Sequence, residues 1–300
     1  MIDVCLLGTG GMQPLPNRFL TSLMLRYNGH SFLVDCGEST QISIRLKGWS
    51  FKDIDVILFT HLHADHIAGL PGLLLAMNNS NKTSSLTICG PKHIKQVVNS
   101  LRIIAPEISY PIEIIELTDE TPLEYYGLKI NPFKVRHSMT CYGYSFELKR
   151  LGKFLPYTAK ALNIPVIYWN KLQHGEIVDG YTPEMVMTPE RKGIKLTYCT
   201  DTRPCSNIYE YAKDSDLFIC EGMYGDTDTE TKDKAKVKYH MLMQESVNIA
   251  AKSNVKKLWL THFSPSMVNP KMYEKELKKV FKNTNVAVDR QSIELNFEGE

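Results

Sequence analysis

The stretch FTHLHADHIAGL, residues 59–70, places three imidazoles and a carboxylate within six positions (His61, His63, Asp65 and His66), directly after the apolar run 54–59. Neutral imidazole nitrogen and anionic carboxylate oxygen, at about 2 Å, are what a borderline cation such as Zn²⁺ takes. An extended chain sends His61 and His63 to one side, while a turn at Ala64-Asp65-His66 aims the next pair elsewhere, so the motif can serve two adjacent ions. A strand end is also a rigid mount, because the buried run behind it fixes the backbone. The alternative, surface-loop histidines leading into a helix, needs four ligand-type side chains to meet by chance.

Further along the chain, His137 ends LKINPFKVRH, Asp201 ends KLTYCTD and His262 ends KLWLTH. Taken singly, each is more often a hydrogen-bonded structural residue. Together, four strand ends carrying ligand-type residues point to one convergent site.

Short apolar, β-branched runs recur at 2–8, 21–27, 30–36, 54–60, 85–89, 112–117, 128–135, 142–148, 194–199, 216–220, 256–262 and 292–297, and predict strands. Amphipathic segments at about 66–78, 91–105, 240–253 and 270–282 read as helices. The pattern predicts an α/β protein whose sheets are covered by helices, a single domain over 1–300. One segment departs from it. Residues 149–175 carry five basic side chains and no Asp or Glu, interleaved with Phe154, Tyr157, Tyr168 and Trp169. They read as a weakly structured inserted arm, bounded at 149–182, with a short helix around 157–163. Its cations, Lys153, Lys160 and Lys171 among them, can neutralise phosphates while aromatic faces stack.

The composition, 43% hydrophobic and 23% charged, is that of a globular chain and excludes a disordered one. A net charge of +2 neither demands nor excludes a nucleic-acid partner, so local charge must decide. Seven scattered cysteines without a CxxC pair imply reduced thiols. No apolar run approaches the roughly 18 residues of a membrane helix, and MIDVCLLGTGG enters a strand with no basic leader, so a cytoplasmic protein without membrane association is expected. LGTGG at 7–11 lacks both GxGxxG and a P-loop lysine, and predicts a tight turn near the metals.

HxHxDH at 61–66, with later His, Asp and His at strand ends, resembles the metallo-β-lactamase superfamily. The finer resemblance is to the ribonuclease Z family of tRNA 3′-processing endonucleases, through LGTGGMQPLPNRFLTSLML (7–25), FLVDCGESTQ (32–41), FTHLHADHIAGLPGLL (59–74), HSMTCYGYSFE (137–147), CTDTRPC (199–205) and LTHFSP (260–265). The resemblance implies a four-layer αβ/βα sandwich holding two Zn²⁺, with Mn²⁺ an alternative. His61, His63 and His137 would hold one ion, and Asp65, His66 and His262 the other, with Asp201 bridging. It further implies a metal-dependent endoribonuclease that removes the 3′ trailer from precursor tRNA, leaving 3′-hydroxyl and 5′-phosphate ends. Asp65 would handle the water's proton. His240, in KVKYHMLMQ, would act as general acid or phosphate-charge stabiliser, and Glu221, in FICEGMYG, could orient it. Arg18 lies where the family has an RNA-contacting loop, and the arm where it has a tRNA-gripping protrusion; here Pro165-Val166-Ile167-Tyr168-Trp169-Asn170 replaces a Gly/Pro-rich tip. A homodimer is expected, one subunit's arm presenting tRNA to the other's centre. Two alternatives use the same core: a hydrolase of small phosphodiesters or other esters, and a catalytically silent RNA-binding protein.

Overall fold

Strand β1 (Ile2–Gly8) begins a sheet completed by β2 (Ser22–Tyr27), β3 (His30–Val34), β4 (Ile54–Leu58), β5 (Leu86–Gly90) and β6 (Ile112–Glu116). A second sheet is built from β7 (Leu123–Tyr125), β8 (Leu128–Val135), β9 (Cys141–Arg150), β10 (Arg191–Cys199), β11 (Leu217–Glu221), β12 (Leu258–Thr261) and β13 (Thr284–Val286), and β14 (Gln291–Leu295) returns to the first. In this computed structural model, which describes residues 1–299, the spatial orders are β14-β1-β2-β3-β4-β5-β6 and β13-β12-β11-β10-β9-β8-β7. Strands β3 to β6 and β10 to β13 run parallel, so their carboxyl ends share a direction within each sheet.

The central strands are apolar on both faces because both are covered. Cys5, Leu7, Met24, Leu33, Ile57, Phe59 and Ile88 pack in one core with residues of helices α1 (Thr40–Lys47), α3 (Leu70–Asn79) and α4 (Ile94–Arg102). Their alternate neighbours Val4, Leu6, Phe32, Val34, Val56 and Leu58 are equally buried and, by strand alternation, face the other way. Phe218, Cys220, Leu258 and Leu260 make the matching core under α7 (Ser206–Ala212), α9 (Met243–Lys252) and α10 (Glu274–Val280). The result is a four-layer sandwich, helices outside and sheets within.

Twelve strands lie on the predicted runs; β7 and β13 were not foreseen, and both are three-residue edge strands of the second sheet. The helical segment read at 66–78 is two helices, α2 (Ala64–Ile67) and α3, divided at Gly69. There the chain passes so close to Gly37 that a Cβ would lie 2.2 Å from its carbonyl oxygen.

The chain divides into two compact units, Met1–Phe146 with Lys195–Leu295, and Glu147–Ile194 with the residues from Asn296 on. The second unit is better ordered than its sequence suggests. It holds helices α5 (Pro156–Ala161) and α6 (Val166–Gln173), the latter beginning where a Gly/Pro-rich tip was missing. Ala159, Ile164, Leu172 and Val186 form its own small core, against which Phe154, Tyr168 and Trp169 pack. The Trp169 indole N–H donates to the Ile164 carbonyl at 3.0 Å, and the Trp169 ring lies 5.3 Å from that of Phe154. These aromatics, offered by the sequence for stacking on a ligand, are partly buried and each lays one side against the unit's own core. Tyr157 alone of the four stands free, 87% exposed. Lys153, Lys160 and Lys171 are exposed and make no ion pair among the described residues.

Candidate metal centre

Asp201, just beyond β10, faces two groups of donors with one oxygen each. Its Oδ1 lies 3.2 Å from His66 Nε2 and 3.1 Å from His262 Nε2, and its Oδ2 lies 3.7 Å from His61 Nε2 and 3.9 Å from His137 Nε2. In the first group His63 Nδ1 is 2.9 Å from His61 Nε2 and 3.3 Å from His137 Nε2. In the second, His66 Nε2 and His262 Nε2 are 3.3 Å apart, with Asp65 Oδ2 at 3.7 and 3.6 Å. The seven residues singled out in the sequence thus meet at one place, supplied by the ends of β4, β8, β10 and β12.

These distances fit a cation. A tetrahedral ion with bonds near 2.0–2.1 Å separates its ligand atoms by about 3.3–3.4 Å, the spacing of the His63–His137 and His66–His262 nitrogen pairs. Asp201 Oδ1 is buried without a hydrogen-bond partner among the described residues, an orphan that a metal ion satisfies. Burial, assisted by the neighbouring imidazoles, pushes His61 and His137 below the ordinary histidine range, so each ring is neutral with a lone pair to give. Burial opposes the Asp65 carboxylate, but His262 and His66 beside it hold its pKa below the ordinary range. The same Asp65 Oδ2 accepts the Met12 N–H at 2.7 Å, which fixes the carboxylate's rotation.

Behind the donors lies a layer that sequence reading missed. Asp35, fully buried at the end of β3, has its Oδ2 2.8 Å from His66 Nδ1 and accepts the Thr60 N–H through Oδ1 at 2.9 Å. It follows an apolar strand as the donors do, so the strand-end signal would have found it. Asp35, Asp201 and His262 all hold left-handed backbone, φ 60, 52 and 57. For non-glycine residues that costs of order 1–3 kcal/mol each, and it turns each side chain at the strand end. The tight turn expected at 7–11 is not there: β1 runs on to Gly8, the chain stays extended with the Gly11 N–H donating to the Phe263 carbonyl at 3.1 Å, and the bend follows at Met12–Gln13. The segment does lie beside the donors, and a Cβ on Gly11 would meet the His262 ring at 2.6 Å, so glycine is required for that ring to occupy its place.

His240 is not in a helix; it lies in the loop before α9, 8% exposed. Its Nδ1 is 3.0 Å from Glu221 Oε2, and Glu221, fully buried at the end of β11, also accepts the N–H groups of Met241 and Thr202. In the protein alone, burial disfavours the imidazolium of His240, but Glu221 and then Asp201 raise its pKa to about 9. Arg203 donates to the His240 carbonyl at 2.5 Å and forms a two-pronged pair with Glu245, which in turn accepts the Leu242 N–H at the start of α9. No sequence pattern pointed to Arg203, since its partners are assembled only by the fold.

Arg18 departs from expectation. Its guanidinium donates to the carbonyls of Ser264, Met267 and Val268 at 3.1, 2.8 and 3.2 Å, and so ties the loop after His262 instead of standing free for a substrate. That loop walls a cleft of about 680 Å³ whose lining includes Asp65, His137, Asp201, Lys234 and His240.

A curated relative named ribonuclease Z, from Lachnospira eligens, is 53% identical over 305 residues, covering 100% of both chains. This chain belongs to the ribonuclease Z family. Residues 2–178 also match the family model described as Anti-Pycsar protein Apyc1, so the chain belongs to that family too; the match spans His61 to His137 and ends before Asp201, His240 and His262. Among solved structures, the metallo-beta-lactamase fold protein YhfI from Bacillus subtilis is similar with a TM-score of 0.70 at 21% identity, covering 97% of this chain and 98% of that one. Human tRNase Z, short form, has a TM-score of 0.69 at 22% identity, covering 98% and 100%. As a ribonuclease Z family member, the chain is a metal-dependent hydrolase with the metallo-β-lactamase fold. No helix among its described residues is long and apolar enough to cross a membrane.

Proposed function

We propose that the chain is a zinc-dependent endoribonuclease that removes the 3′ trailer from precursor tRNA, leaving a 3′-hydroxyl and a 5′-phosphate. The observation that carries this reading is the pairing of Asp201, one oxygen toward each donor group, with a Glu221-held His240 on the same cleft. His61, His63 and His137 would hold one Zn²⁺ and Asp65, His66 and His262 the other, with Asp201 shared; Mn²⁺ suits the same donors. When bound there, the ions supply Lewis acidity that lowers the pKa of water and offsets phosphoryl charge. Asp65, rotationally fixed by Met12, orients the attacking water and holds its proton. His240 donates a proton to the departing 3′ oxygen, with Glu221 keeping the ring oriented and Arg203 holding its backbone. Because water attacks and the ribose 2′-hydroxyl is not consumed, no cyclic phosphate forms.

Lys153, Lys160 and Lys171 of the second unit would engage tRNA phosphates as point charges. The protein would work in the cytoplasm as a homodimer in which each arm serves the partner's centre. The test is to incubate purified protein and Zn²⁺ with a 3′-extended tRNA and map the product ends, beside an Asp65→Ala variant. A 3′-hydroxyl cut near the acceptor stem is expected, with the variant slower by roughly a hundredfold or more. An intact tRNA alongside rapid hydrolysis of a small chromogenic diester would replace this reading with that of a small-phosphodiester hydrolase.

A further inference from the structure

Beside the cleft lies a second cavity of about 360 Å³, within the roughly 300–1,000 Å³ of small-ligand sites. The two share Tyr224, Lys234, Ser264 and Ser266 in their linings, so the second is an annex adjoining the cleft over the donor cluster. Lys234, on α8 (Thr229–Val237), stands at the junction with its ammonium 5.3 Å over the Tyr224 ring. It makes no ion pair among the described residues, which leaves a cation free to meet a phosphate.

The far wall of the annex has different chemistry. Val268 and Met272 stand at its mouth 90% and 67% exposed. Val268 is not on a slack loop, since Arg18 holds the carbonyls of Ser264, Met267 and Val268. Tyr273 is fixed as well: its hydroxyl donates to Asp226 at 2.7 Å, and its ring lies so close to Gly225 that a Cβ there would approach it to 2.2 Å. The Asn269 side-chain amide has no partner among the described residues, and can both donate to and accept from a base edge. A tethered apolar wall, a free amide and one unpaired cation facing the catalytic cleft match the parts of a nucleotide: flat base, polar edge and adjoining phosphate.

We infer that the annex is a base-binding subsite, taking the nucleoside that flanks the reacting phosphate, with Val268 and Met272 against the base and Lys234 on the phosphate. This rests on the nuclease reading, because the annex adjoins the cleft where that reading places the reacting phosphate.

Calorimetric titration of the Zn²⁺-loaded protein tests it. The probes are nucleoside 3′-monophosphates and 5′-monophosphates, and the corresponding ribose phosphates as base-free controls. The expected result is binding at least tenfold tighter with a base than without. The difference should shrink below threefold in Val268→Ser and Met272→Ala, both at exposed positions, with thermal melting to check folding. Preference for the 3′- or the 5′-monophosphate assigns which flanking nucleoside the annex takes. Equal binding of nucleotides and ribose phosphates, or variants that keep the full base effect, overturns the subsite. Precursor tRNA is assayed on the same preparations. Cleavage with base-independent binding removes the annex and keeps the nuclease reading, whereas base-dependent binding with intact tRNA keeps the annex and removes that reading.

Discussion

Asp35 Oδ2 lies 2.8 Å from His66 Nδ1, with both side chains fully buried and Nε2 of the same ring turned toward Asp201 and His262. A carboxylate on the rear nitrogen fixes the tautomer and raises the basicity of the front one. Asp35→Asn keeps the volume and removes the charge. Metal affinity at the Asp65/His66/His262 group is expected to fall about 10- to 100-fold, read by competition with a chromogenic chelator. Wild-type affinity in the variant would mean that Asp35 serves only the backbone, through Thr60.

His240 and Glu221 are expected to behave as a unit. His240→Ala should lower the cleavage rate by about 10²- to 10⁴-fold while metal content stays at the wild-type value. Glu221→Gln removes the charge beside Nδ1 and should slow the reaction less, by about tenfold. In the double variant the Glu221 change should cost almost nothing further, because its effect passes through the ring. Additive losses in single-turnover rates would show that Glu221 acts independently of His240.

The donor set was legible because its chemistry resides in residue types at the ends of apolar runs, and each of those runs is a strand here. What supports the donors was not, since it depends on partners far along the chain: Arg18 meets Ser264 across 246 positions, and Arg203 meets Glu245 across 42. The edge strands β7 and β13 are too short to show alternation. Lys232, Lys234, Lys236 and Lys238 fall at every second position, yet 232–236 fold within α8 and 238 caps it. The 3.6-residue period then sorts them, Lys234 and Lys238 to the cleft and Lys232 and Lys236 to a neighbouring pocket. In the arm the alternation of basic and aromatic residues was real, but Phe154, Tyr168 and Trp169 were needed to give a small unit an interior.

Arg18→Ala tests whether this guanidinium is a tether or a substrate contact. Loss of charge-assisted bonds to three carbonyls should cost about 1.5–3 kcal/mol of stability, measured by denaturant unfolding. The slope of log Kd for tRNA against log salt should stay unchanged. A slope reduced by about 1, with stability intact, is the signature of a lost phosphate contact and would return Arg18 to the substrate.

The second unit's lysines make the opposite prediction. Lys153, Lys160 and Lys171 are exposed and outside its core, so replacing all three by Ala should leave thermal unfolding within about 0.5 kcal/mol per site. If each meets a phosphate, the slope of log Kd against log salt should shrink by about 2–3, since each neutralised phosphate of a duplex contributes about 0.9. The loss should appear in KM for precursor tRNA, with kcat nearly constant, because these cations bind the substrate and take no part in the chemical step. Steady-state cleavage over a range of salt concentrations measures both quantities on one preparation. A triple variant with wild-type KM and salt slope would mean that the arm's positive charge serves only solubility, and that tRNA is gripped by the cleft alone.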